Sequence, residues 1–229
     1  MKKKAIILLS GGLDSTTCAA IAKYQGFDLI GLTVNYGQNH AFELEAAKKV
    51  ANHYGIDEHS IIDIDLAQFG GSALTSNKIK IPSGRRMSEM NDIPATYVPA
   101  RNTIFLSIAL AKAETVNSFD IFIGVNAIDY SGYPDCRPVF ISEFEKLANL
   151  ATKEAVQNKG SYKIHTPLIT LSKAEIIKKG ISLKVDYSIT SSCYKPNEHG
   201  NPCGFCDACI LRKKGFENAG FKDPLDYQL

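Results

Sequence analysis

The chain has 229 residues, 45% of them hydrophobic, and its 26 basic against 24 acidic side chains leave a net charge of +2. That is enough for one large domain or a domain with a small appendage, and too little charge bias for a dedicated nucleic-acid binder. No apolar run approaches the roughly eighteen residues of a membrane span, and the Met-Lys-Lys-Lys start precedes only a short apolar run at 5–9, so a cytoplasmic protein is expected.

Residues 5–9 read as a buried first strand. They lead into Ser10-Gly11-Gly12-Leu13-Asp14-Ser15-Thr16 and then a helical pattern ending at Tyr24. Strand, glycine turn and helix start together present free N–H groups and the positive end of a helix dipole, which suits an anion. Ser10, Ser15 and Thr16 add hydroxyl donors. Neither GxxxxGK[ST] nor GxGxxG with a downstream acid is present, so two common nucleotide signatures are excluded. No lysine follows the glycines, and Asp14 lies inside the turn. A lone carboxylate there repels phosphate unless it caps the helix or holds Mg2+, which makes a Mg-nucleotide the coherent ligand.

Residues 27–34 form a second strand, 39–54 a helix ended by Gly55, and 61–64 a third strand. This alternation is the grammar of a parallel sheet with right-handed crossovers. Residues 66–98 break it with Gly70-Gly71, Pro82, Gly84 and Pro94, and read as a lid or a plain surface loop. Arg101 stands near the start of a helix over 103–116. A cation there opposes the dipole and needs a bound anion or an aspartate partner.

Residues 120–125 form a fourth strand. Its carboxyl end, where parallel sheets carry their sites, runs into Asp129-Tyr130-Ser131-Gly132-Tyr133-Pro134-Asp135-Cys136-Arg137. These hydrogen-bonding and stacking groups suit a flat heterocycle. A helix over 139–157, a fifth strand over 163–169 and a capping-box helix from Thr170 or Ser172 to Gly180 follow. Lys163 or Lys173 could supply the cation that the glycine loop lacks. The pattern predicts an α/β fold, a doubly wound parallel sheet of about five strands over residues 1–185, with residues 186–229 as a small C-terminal segment.

That segment carries Cys193-x9-Cys203-x2-Cys206-x2-Cys209. Four thiolates at these spacings suit tetrahedral Zn2+, with an iron–sulfur cluster as the rival. Four sulfur ligands leave no open position, so the metal is expected to be structural.

The stretch Ser10 to Ser15 resembles the SGGxDS loop of the PP-loop (N-type) ATP pyrophosphatases, whose fold is adenine nucleotide alpha hydrolase-like. Within that superfamily the chain is similar to the 7-cyano-7-deazaguanine synthase family over nearly its whole length. The likeness rests on SGGLDSTTC at 10–18, NYGQNH at 35–40, VPARN at 98–102, DYSGYPDCR at 129–137, TPL at 166–168 and CGFCDAC at 203–209. Ala100 stands where glycine is also familiar. The resemblance implies that 7-carboxy-7-deazaguanine, ammonia and ATP give the nitrile, AMP and pyrophosphate. It implies ATP binding by Leu9, Ser10, Gly11, Gly12, Leu13, Asp14, Ser15, Thr16, Thr17, Cys18 and Ala19, with Asp14 near Mg2+. It further implies one structural Zn2+ on Cys193, Cys203, Cys206 and Cys209, and a homodimer. On residue chemistry, Arg101 and Lys163 are expected near the phosphates and Asp129, Tyr130 and Asp135 near the deazaguanine. No membrane and no stable nucleic-acid partner are expected.

Overall fold

A computed structural model describes residues 2–38, 42–76, 78–86, 92–128 and 133–228. Its sheet has five parallel strands, β1 (Lys4–Leu8), β2 (Asp28–Asn35), β3 (His59–Asp63), β4 (Asp120–Phe122) and β5 (Lys163–His165). Their spatial order is β3-β2-β1-β4-β5. The α-helices among the described residues are α1 (Leu13–Tyr24), α2 (Phe42–His53), α3 (Arg101–Thr115), α4 (Pro138–Ala151), α5 (Lys153–Val156), α6 (Lys173–Ser182) and α7 (Asp207–Ala219).

Central β1 shows why two layers of helices are needed. Side chains alternate across a strand. Ala5 and Ile7, with Leu9 just beyond, enter one core with Ala19 of α1, Val50 of α2, Ile177 of α6 and Phe216 of α7. Ile6 and Leu8 enter the other with Leu106 of α3, Phe144 of α4 and Ile121 of β4. Both cores are apolar, as a buried parallel sheet requires. The C-terminal segment thus shares a core with the sheet through Phe216. Arg212 is buried there too, paired with Asp223 at 2.8 Å and donating to Thr190 at 2.7 Å.

The expected helix over 139–157 is broken. Thr152 is extended (φ −107°, ψ 146°) and its hydroxyl donates to the Ala148 carbonyl at 2.8 Å, while Glu114 accepts the Lys153 N–H at 2.8 Å. These local bonds replace the helical ladder for one residue. The fourth and fifth strands end early, at Phe122 and His165, before the chain turns into the site.

The described parts of 66–98 are packed. Leu66, Leu74 and Val98 are buried against Val34 and Tyr36 at the tip of β2. Further on, the Gly84 N–H donates to the Phe205 carbonyl at 2.9 Å, and Arg85 pairs with Asp207. These described residues therefore strap the end of β2 to the cysteine segment. Among the described residues no helix is long and apolar enough to cross a membrane.

Candidate active site

The strand order reverses beside β1: β2 lies on one side of it and β4 on the other. Open α/β sheets bind ligands at such a switch point, outside the strand carboxyl ends. The cleft found there is walled by Ser10 to Ser15, by the end of β2 at Val34 and Tyr36, and by Ile123 to Asn126 beyond β4.

The glycine loop fits this place through two close approaches. A Cβ on Gly11 (φ +73°) would lie 2.4 Å from the Ala47 backbone nitrogen of α2. A Cβ on Gly124 would lie 3.0 Å from the backbone carbonyl of Asp14. Small residues at both positions let α1 start between β1 and β4. Gly12 offers α1 no side-chain cap, and while Ser192 takes the Leu13 N–H, the N–H groups of Asp14 and Ser15 face the cleft without a partner among the described residues. The Ser10 and Ser15 hydroxyls are 3.0 Å apart. Leu9, Ser10, Gly12, Leu13, Asp14 and Ser15 line the cleft, whereas Gly11 turns toward α2. Thr16, Thr17, Cys18 and Ala19 are buried behind the loop. Thr16 and Thr17 bond back to Gly12 and Leu13 carbonyls at 2.8 Å, and burial raises the Cys18 thiol out of reach of ionisation.

The cation beside the loop is Lys173, whose ammonium lies 2.8 Å from both Asp14 carboxylate oxygens. Ser172 and Glu175 form the capping box that fixes the start of α6 and hence this lysine. Lys163 does not reach the site. It is the exposed first residue of β5, in register with Asp120 at the start of β4. The amino end of a parallel strand is the edge of the sheet opposite the cleft, so Lys163 is corrected to a surface position.

Arg101 does enter the cleft, with its guanidinium 5.8 Å from the Tyr36 ring centroid and 5.9 Å from that of Phe105. Burial opposes its charge, but Tyr36, Tyr133, Cys136 and Asp135 around it outweigh that and hold it protonated. The preceding Ala100 has φ +54°, a left-handed conformation that glycine adopts more cheaply. Across from Arg101 stands Glu43 of α2, which sequence reasoning did not single out. Burial pushes its carboxyl up to about 7, with Arg101 pulling the other way.

Asp135 is turned to another task. Its carboxylate accepts the Asn102 N–H at 3.0 Å and its carbonyl accepts from the Asn102 amide at 3.2 Å, so it holds the start of α3. The cleft is lined instead by its neighbours Tyr133 and Cys136. Burial pushes the Cys136 thiol up to about 12, which leaves it protonated and a poor nucleophile at neutral pH. Asp129 and Tyr130 lie outside the described residues.

The sulfurs of Cys193, Cys203, Cys206 and Cys209 all lie within 4.8 Å of one another. A tetrahedral zinc with Zn–S of about 2.3 Å separates its ligands by about 3.8 Å, so the set fits with small adjustment. The Lys195 and Cys203 N–H groups donate to the Cys193 sulfur at 3.3 and 3.2 Å, and the Cys206 N–H donates to the Cys203 sulfur at 3.3 Å. Such donors favour thiolates, so the cluster is a metal-binding site consistent with structural zinc. The residues just before it reach the glycine loop. The Ser191 N–H donates to the Gly11 carbonyl at 2.9 Å, and Ser192 Oγ accepts the Leu13 N–H at 3.3 Å. The only sequence signal for these two was a run of hydroxyl residues ahead of Cys193.

A model of the family described as "Queuosine biosynthesis protein QueC" matches residues 4–220. The 7-cyano-7-deazaguanine synthase of Syntrophotalea carbinolica is 59% identical over 227 residues, covering 99% of this chain and 97% of the relative. That of Citrifermentans bemidjiense is 61% identical over 228 residues, covering 100% and 99%. Among solved structures, NMN synthetase from Francisella tularensis superposes with a TM-score of 0.50 at 18% identity, over 96% of this chain and 78% of that one, a likeness of fold alone. Matched end to end by relatives at this identity, the chain belongs to the 7-cyano-7-deazaguanine synthase (QueC) family of the PP-loop ATP pyrophosphatases.

Proposed function

We propose that the chain is an ATP-dependent carbon–nitrogen ligase that converts 7-carboxy-7-deazaguanine and ammonia to 7-cyano-7-deazaguanine. Beyond family membership, the observation that carries this is the start of α1, which has no cap from Gly12 and opens on the switch-point cleft, with Lys173 beside it. A carboxylate is a poor electrophile. Transfer of AMP from ATP to one carboxylate oxygen expels pyrophosphate and makes that oxygen a leaving group. Ammonia then displaces AMP to give the amide. A second adenylation, on the amide oxygen, expels a second pyrophosphate, and loss of AMP and protons leaves the nitrile. Each pyrophosphate leaves with developing charge, which N–H groups and cations placed in advance stabilise.

The α1 N–H groups, Ser10, Ser15, Lys173 and Arg101 are the groups assigned to the phosphates. Asp14 faces the cleft and is the loop carboxylate that would hold the Mg2+ brought with ATP, which would neutralise phosphate charge. Tyr36, Phe105 and Tyr133 supply flat walls for the heterocycle. Asp129 and Tyr130 remain our assignment for its polar edge: Asp129→Ala should lose base recognition and keep the fold. Zinc on the four cysteines ties residues 186–229 to the nucleotide domain of residues 1–185. We assign the enzyme to the cytoplasm as a homodimer that uses free ammonia and needs no stable nucleic-acid partner.

Supplying 15N-ammonia, Mg2+, ATP and the acid tests the reaction. The expected product is a nitrile carrying one 15N atom by mass spectrometry. A product that stops at the amide, or that holds no 15N, would contradict it.

A further inference from the structure

Two consecutive residues of the cysteine segment hold the glycine loop. Ser191 does so through its backbone, donating to the Gly11 carbonyl at 2.9 Å. Ser192 does so through its side chain, accepting the N–H of Leu13, the first residue of α1, at 3.3 Å. A serine hydroxyl is both acceptor and donor. Its acceptor side is used by Leu13, and no described residue accepts its proton. Ser192 is half-buried and lines the cleft, so that proton is available to whatever lies at the start of α1. The next residue, Cys193, is buried in the metal cluster, which fixes the backbone from which the hydroxyl projects.

We infer that Ser192 is a phosphate-contacting residue of the nucleotide site: its hydroxyl donates to a phosphate oxygen of ATP, while the bond from Leu13 holds it in position. The inference rests on the assignment of the Ser10–Ser15 loop to ATP. It gives the cysteine segment a part in nucleotide binding. A hydrogen bond to a charged group is strong enough for its loss to be read directly in affinity.

The test uses the full-length, metal-loaded protein. ATP dissociation constants in the presence of Mg2+ are measured by calorimetry for wild type, Ser192→Ala, Ser192→Thr and Ser192→Val, with bound metal quantified for each. The expected result is about tenfold weaker ATP binding for Ser192→Ala at unchanged metal content. Ser192→Thr should bind within about threefold of wild type and Ser192→Val should match Ser192→Ala, since Thr and Val differ chiefly in the hydroxyl. In turnover, the Ala variant should raise KM for ATP and leave KM for the acid unchanged. If Ser192→Ala loses metal, the Thr and Val pair at equal metal content decides. Wild-type affinity in Ser192→Ala, or equal affinity in Thr and Val, would overturn the inference alone. A wild-type protein that binds no ATP would overturn the nucleotide assignment itself and the inference with it.

Discussion

The Lys173 ammonium sits 2.8 Å from both carboxylate oxygens of Asp14 and so ties the first turn of α6 to the first turn of α1. The two side chains are only 8% and 18% exposed, so neither charge is well solvated alone. Removing one partner of such a pair costs about 3 kcal/mol or more, because the other charge stays behind. Lys173→Met should therefore lower unfolding stability by about that much and turnover by about a hundredfold. Adding Asp14→Asn should recover most of the stability and none of the activity. Urea unfolding and AMP release on the single and double variants check both halves.

Glu43 makes stability depend on pH in a definite direction. Its carboxyl is raised from an ordinary 4.5 to about 7, chiefly by burial. Between these values the unfolded chain releases the proton while the folded chain keeps it, so Glu43 reduces stability as pH rises through that window and by a constant amount above it. Glu43→Gln removes the effect. It should gain about 1–2 kcal/mol over wild type at pH 8, seen as a rise of about 4 °C in Tm, and little at pH 4.5. An equal shift at both pH values would refute a half-buried Glu43 that holds its proton near neutral pH.

Removing the metal should act on both ends of the molecule. With the four thiolates unpaired, the segment that holds Ser191 and Ser192 against the glycine loop loses its anchor. Chelation is expected to release one zinc per chain, lower Tm and weaken ATP binding together, with restoration on adding Zn2+. Metal analysis alongside calorimetry checks this. Loss of zinc without any change in ATP affinity would show that the segment and the loop are not coupled.

Gly124→Ala tests the close approach behind the loop. The added carbon would sit 3.0 Å from the Asp14 carbonyl, a backbone group that cannot rotate away. Overpacking of this kind costs about 1–3 kcal/mol, and here it pushes on the start of α1. KM for ATP should rise more than KM for the acid, as steady-state kinetics with each substrate varied would show.

Much of this architecture was legible from the residues. Apolar runs broken by glycine gave five strands, and alternation with helices gave a parallel sheet. The Ser10 to Ser15 loop and the four cysteine spacings are local patterns, and both lie where the sequence places them. What escaped depended on which way a side chain faces. Asp135 has the right chemistry for a base, yet it caps α3 through Asn102. Lys163 has the right charge at the wrong end of its strand, and Lys173, ten residues on, stands at the right one. Glu43 and Ser192 come from distant segments that only the folded chain brings to one cleft. Long-range placement of this sort leaves no periodic trace in sequence.

The central claim is that the loop at Ser10 to Ser15 cleaves ATP between its α and β phosphates to activate a carboxylate. It is tested most directly by following nucleotide products with ATP, Mg2+ and ammonia, with and without 7-carboxy-7-deazaguanine. AMP and pyrophosphate that form only when the acid is present, two of each per nitrile, are the predicted result. ADP and phosphate as products, or AMP release indifferent to the acid, would contradict it.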